Sequence, residues 1–169
     1  SGDYRITLSG LVSGAGLSEL GAEVDEERTY AVLSLQRTDG TAVTDENFDF
    51  FSHTLTPLVS GYSPSAVNGW TLDAYVSGFA KDGVYYYLLD TQSLEMFADH
   101  TVYLAFYEGG VPTREYFTMA EDGSISFVQG IAGPHALFTL PLDESRADPA
   151  AVDDFLERSG INPMLGFAD

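Results

Sequence analysis

Three kinds of residue in this chain could do chemistry by type and spacing: a Ser-His-Asp grouping, scattered histidines, and a carboxylate cluster. Ser52 and His53 are adjacent and Asp49 lies just upstream, which are the parts of an activated serine nucleophile. The chain contains no Gly-x-Ser-x-Gly elbow to expose such a serine, so no hydrolytic triad is expected. His53, His100 and His135 stand far apart, and none belongs to a His-x-His or His-x-x-x-His pair. Three such rings could converge on zinc, but lone histidines in strand-like segments are read here as structural. Asp45, Glu46, Asn47 and Asp49 form the best hard-cation cluster, because calcium wants several oxygens. The spacing departs from the EF-hand loop, so a solvated acidic loop is expected.

Other chemistry is excluded by what is missing. Gly14-Ala15-Gly16 begins like a dinucleotide loop, but Glu19 occupies the place of the third glycine. No Gly-Lys-Ser/Thr follows it. The absence of cysteine removes disulfides, thiolate nucleophiles and cysteine zinc sites. Asn47, Asn68 and Asn162 each lack the Ser or Thr of a glycosylation acceptor. The expectation is therefore a chain with no catalytic residue, no metal site and no cofactor.

Charge narrows the partners further. Twenty-six acids face seven bases, a formal charge of −19, and Lys81 is the only lysine. Nucleic-acid affinity comes largely from Lys and Arg displacing counterions, so nucleic acid is excluded as a partner. The same charge opposes adsorption to an anionic membrane face. Disorder is not expected, because 44% of the residues are hydrophobic and 13% aromatic. A chain of 169 residues fits one domain and can bury roughly 70% of its unfolded surface. No apolar run approaches the ~20 residues of a spanning helix, and no signal peptide is visible. The opening Ser1-Gly2-Asp3 runs straight into a strand pattern, which reads as a domain excised from a longer protein.

The elements that must position these residues are mainly strands, since apolar residues recur with period two. Strands are expected over Tyr4 to Ser9, Thr29 to Arg37, Phe48 to Val59, Trp70 to Ala80, Val84 to Asp90, Thr101 to Tyr107, Arg114 to Met119, Ser124 to Gln129 and Ala136 to Leu140. Ser13 to Gly21 and Glu23 to Glu27 read as loop, and Ser93 to Asp99 as a single helical turn. Hairpin turns are expected at Asp39-Gly40, Asp82-Gly83 and Glu121-Asp122-Gly123. Pro57 confines its strand to a sheet edge or a bulge. One helix is expected over 149–159, with Asp148 as its cap, Pro149 at its first position and Gly160 closing it. The fold class is mostly β, an antiparallel sandwich or a partly open barrel, with strands over about 3–140 and this short C-terminal helix.

The Asp82-Gly83 hairpin yields candidate binding residues. A two-residue turn pairs Lys81 with Val84, Ala80 with Tyr85, Phe79 with Tyr86 and Ser77 with Leu88. One face then holds Val76, Ala80, Tyr85, Tyr87 and Leu89, which suits the core. The other holds Tyr75, Phe79, Tyr86 and Leu88, too aromatic to be left in water without a reason. Tyr75, Phe79 and Tyr86 are therefore either a platform for a protein or glycan partner, or a surface covered by the helix stripe Val152, Phe155 and Leu156. The cover is the expected outcome, since that stripe must be buried somewhere.

Several segments carry a family resemblance: FSHTLTPLVSGY over Phe51 to Tyr62, Asp82-Gly83 with the tyrosines after it, Met96-Phe97-Ala98-Asp99 leading into Val102-Tyr103-Leu104, and LPLDESRADP over Leu140 to Pro149. They resemble the extracytoplasmic domain of membrane-anchored Firmicutes proteins, some related to anti-sigma or sigma-regulating proteins. The similar region covers Asp3 to about Gly160, and its motifs are structural, so no active-site residue carries over. The resemblance implies an N-terminal transmembrane helix upstream and a domain displayed on the extracellular face of a bacterial membrane. It implies a non-enzymatic sensing or binding function, as in an envelope-stress or sigma-factor regulator. A secreted carbohydrate-binding module or glycan hydrolase is the alternative, with protein or cell-wall glycan as the partner.

Overall fold

The computed structural model describes residues 3–14 and 27–167. Nine strands are described: β1 (Tyr4–Ser13), β2 (Arg28–Arg37), β3 (His53–Val59), β4 (Tyr75–Lys81), β5 (Val84–Gln92), β6 (Val102–Glu108), β7 (Phe117–Met119), β8 (Ile125–Phe127) and β9 (His135–Thr139). All pairings are antiparallel, in sheets ordered β1-β2-β5-β4, β3-β6-β9 and β7-β8. The sheets do not close into a barrel, so the open sandwich-like alternative holds.

Alternation along β6 shows how the layers stack. Val102, Leu104 and Phe106 join one buried cluster with Leu33, Leu35, Tyr85, Tyr87 and Leu89 from the four-stranded sheet. Tyr103, Ala105 and Tyr107 point the other way, into a second cluster with Phe117 and Ile125 of the small hairpin. The three-stranded sheet is thus buried on both faces. That accounts for the nearly continuous apolar run Val102-Tyr103-Leu104-Ala105-Phe106-Tyr107. Pro57 lies in β3, an edge strand, where its missing N–H costs no ladder bond.

The helix α1 (Pro149–Ser159) forms with the expected caps. The Asp148 carboxylate accepts from Ala151 N at 3.1 Å, Pro149 needs no N–H in the first turn, and Gly160 takes φ +62°. Val152 and Phe155 are buried and Leu156 is partly buried, while Asp153, Asp154 and Glu157 face water. The stripe covers a 3₁₀ turn at Glu95–Phe97, where Phe155 meets Phe97 edge-on at 6.1 Å. Asp148 N also donates to Met96 O at 3.0 Å.

Four expectations are corrected. The helix does not cover Tyr75, Phe79 and Tyr86, because its stripe is taken up by Phe97 and the core between the sheets. Asp39-Gly40 makes a turn with Gly40 at φ +81°, but it joins no hairpin. The chain instead leaves β2 and crosses to the β4–β5 turn, where Val43 N donates to Gly83 O at 2.9 Å. Phe48 to Val59 is not extended throughout, because Asp49 caps a 3₁₀ turn at Phe50–Ser52 before β3 begins. Trp70 to Asp73 is turn rather than strand, held by Asn68, whose Oδ1 accepts from Trp70 N at 2.9 Å. The Gly-rich and acidic loop lies outside the described residues except at its ends; Ser13 belongs to β1.

Candidate functional site

The expected register of the β4–β5 hairpin is found pair for pair, with Lys81 opposite Val84, Ala80 opposite Tyr85, Phe79 opposite Tyr86 and Ser77 opposite Leu88. Asp82 and Gly83 take φ +53° and +82°, the paired positive values a two-residue turn needs. Tyr85, Tyr87 and Leu89 point inward and are buried. Burial raises the phenol pKa of both Tyr85 and Tyr87 above the ordinary value, most strongly at Tyr87. Tyr75, Phe79 and Leu88 point outward and are 65%, 41% and 37% exposed.

Registers across the sheet extend this outward face to all four strands. One row runs Val12, Tyr30, Asp90, Tyr75, the next Gly10, Val32, Leu88, Ser77, and the third Thr7, Ser34, Tyr86, Phe79. Phe79 and Tyr86 stack at 5.5 Å with 28° between their planes. Arg28 bonds Asp90 at 2.7 Å through Nε and lies over the Tyr75 ring at 5.7 Å, which fixes that ring from below. Ser9 and Ser34 hydroxyls bond each other at 2.8 Å. Among the described residues, Asp90 is the one acid on the face, and it is already paired. The candidate residues Tyr75, Phe79 and Tyr86 are thus brought together on an open surface, enlarged by Tyr30, Val32 and Leu88.

The other candidates are not brought into chemical sites. Asp49 accepts from Ser52 Oγ and from Phe51 N, and its carboxyl is held below the ordinary value by those bonds, the serine first. His53 instead turns Nδ1 to the Asp49 carbonyl at 2.7 Å and stacks between Phe48 and Phe106, at 4.6 and 5.4 Å. The carboxylate therefore orients the serine and not the imidazole, the reverse of a triad. His100 bonds Ser60 O at 3.1 Å and His135 meets the Phe127 ring edge-on, so the histidines do not converge. Asp45 accepts from Ala80 N of β4 at 3.0 Å, and Asn47 accepts from Thr44 N at 2.9 Å, so these two side-chain oxygens are taken up by backbone N–H groups. Among the described residues no group of three or more His, Asp or Glu is placed to hold a metal.

A second surface was not foreseen from sequence. Phe51 and Trp70, 91% and 57% exposed, line a cleft of about 330 Å³ with His53, Thr54 and Gly110. Both aromatics sit in turns, where period-two reading carries no signal.

No family model matches the chain, and neither the curated proteins nor the solved structures include a similar one. Among the described residues no helix is long and apolar enough to cross a membrane.

Proposed function

We propose that this chain is a non-enzymatic, extracytoplasmic binding domain of a membrane-anchored bacterial protein, and that the outer face of β1-β2-β5-β4 is its contact surface for a cell-wall glycan. The observation that carries the reading is an aromatic sheet face that is, among the described residues, uncovered and nearly free of acids in a chain of charge −19. Covering a carboxylate costs its hydration, so a face cleared of acids is one that can be covered cheaply. Aromatic rings supply flat apolar area for the C–H faces of sugars, and Ser34, Ser77, Thr7 and Gln36 supply hydroxyl and amide partners beside them.

Binding is favoured over hydrolysis because glycosidases need two carboxylates across the scissile bond, and among the described residues the face offers Asp90 alone. The extracytoplasmic setting and the role in envelope-stress or sigma-factor regulation rest on the family resemblance.

The test is calorimetric titration with soluble N-acetylhexosamine oligosaccharides, alongside sedimentation with insoluble cell walls. Saturable binding is expected, weakened about tenfold or more by Phe79→Ser or Tyr75→Ser, a loss of about 1.4 kcal/mol per decade. Absence of binding to any glycan, with a protein retained through the same face, would replace this reading by a protein-docking one.

A further inference from the structure

We propose that the cleft between β3 and β4 is a second ligand site, which takes a small organic ammonium group. This assignment does not rest on the glycan reading, since it uses a different edge of the molecule and different residues.

The cleft opens where two sheet edges face each other. β3 ends one sheet and β4 ends another, and Thr54, Leu55, Ala74 and Val76 line the gap between them. Its volume of about 330 Å³ lies at the lower end of the ~300–1,000 Å³ range of small-molecule pockets. One wall is built from Phe50, which stacks on Tyr87 at 5.0 Å, and Phe51 stands at 88° to Phe50. Trp70 is at the lip. Phe51 and Trp70, both mostly exposed, place two apolar rings at one opening.

Beside the aliphatic Leu55, Ala74 and Val76, the cleft presents aromatic rings and a hydroxyl oxygen. The Asp49 carbonyl accepts from His53 Nδ1, which fixes the plane of that ring beside the cleft. Thr54 Oγ1 donates to Gly109 O at 2.6 Å, which leaves the hydroxyl as an acceptor. Among the described residues no Lys, Arg, Asp or Glu lines the cleft. Ring faces, carbonyls and lone pairs attract a cation with an apolar body, and the −19 charge of the chain raises cation concentration around it.

Gly110 is where the cleft can be probed without disturbing the fold. Its neighbour Gly109 needs glycine, with φ +150° and Tyr116 atoms 2.5 Å from a would-be Cβ. Gly110 has no such φ, and a Cβ there would meet nothing within 4 Å, so a larger side chain is tolerated at this lining residue.

Trp70 makes the test direct, because all tryptophan emission comes from the lip of the site. Choline and tetramethylammonium are titrated against emission and by calorimetry, with 3,3-dimethyl-1-butanol as the uncharged isostere of choline. The expected result is saturable binding by the cations, with Kd on the order of 10⁻³–10⁻⁴ M for a few cation–π contacts, and at least tenfold weaker binding of the isostere. Gly110→Val should abolish the response with an unchanged melting temperature, while Phe79→Ser on the sheet face should leave it intact. Equal affinity for choline and its isostere, or no response to either cation, overturns the proposal. A lysine-containing octapeptide binding tenfold tighter than choline would also overturn it, by assigning the cleft to a protein side chain.

Discussion

Gly78→Ala should destabilise the protein, although general rules favour it. Gly78 lies in the middle of β4, opposite Tyr87, with no positive φ to explain it. Replacing such a glycine normally gains about 0.4–1 kcal/mol by removing freedom from the unfolded chain. Here a Cβ would stand 2.6 and 2.8 Å from Phe50 Cδ2 and Cε2, and 2.9 Å from Tyr85 Cε1. Those atoms belong to rings that cannot swing aside, because Phe50 is stacked on Tyr87 and Tyr85 is wedged against Phe48 at 4.6 Å. Overpacking of this kind costs about 1–3 kcal/mol, so the net loss should be about 1–2 kcal/mol. For a domain of this size that lowers Tm by about 2–8 °C. Urea unfolding at constant m, with calorimetry alongside, measures it. The double variant Phe50→Ala/Gly78→Ala identifies the cause, since most of the alanine penalty should vanish once the Phe50 ring is gone, leaving only the Tyr85 contact. A Tm unchanged or raised by Gly78→Ala alone, or a penalty undiminished without Phe50, would refute the packing described.

Three further outcomes are expected. Phe155→Asp, at a position 3% exposed against Phe97, should cost about 3–5 kcal/mol, whereas Phe79→Asp on the open face should stay within about 0.5 kcal/mol; comparable losses from both would restore the helix as the cover of that face. Raising sodium chloride from near zero to about 0.2 M should raise Tm, because a Debye length of ~10 Å at 0.1 M screens repulsion among the acids more than it weakens the few ion pairs; a fall in Tm would contradict this. The buried phenols of Tyr87 and Tyr107 are raised above the ordinary 10.0, so the stability they confer is complete below pH 10 and lost as pH rises beyond it. Absorbance near 295 nm should show these two ionising only together with unfolding, and early titration of all ten tyrosines would count against their burial.

How far the fold was legible depends on whether the signal was local. Asp82-Gly83 fixes its own hairpin because the turn's two positive φ values select the register of both flanking strands. Asp148, Pro149 and Gly160 bound α1 for the same kind of reason. Asp39-Gly40 has the same turn chemistry and joins no hairpin, since β2 already has β1 and β5 on its two sides. No dipeptide records that both edges of a strand are taken. The 3₁₀ turn at Phe50–Ser52 was hidden likewise: its residues are good strand formers, and only the Asp49 cap tips them over.

The outward aromatic face was half legible. Period two separates Tyr75, Phe79 and Tyr86 from Tyr85 and Tyr87 correctly, and then two unpaired apolar surfaces invite pairing by elimination. The elimination fails because Phe97, within what reads as a lone helical turn, takes the helix stripe. Charge along the strands would have pointed to the right outcome. β1, β2, β4 and β5 together hold four of the seven bases, Arg5, Arg28, Arg37 and Lys81, and one of the twenty-six acids, Asp90. Four bases against one acid gives these strands a charge of +3 in a chain of −19. Burial of the inner face removes acids only from alternate positions, so it explains half of that depletion. The outer positions are solvated in this structure, as is the exposed side of α1, which carries Asp153, Asp154 and Glu157. The low strand propensity of Asp and Glu accounts for part of their absence from the outer positions, and a contact surface of the kind proposed above would account for the rest, because a carboxylate covered by a partner loses its hydration.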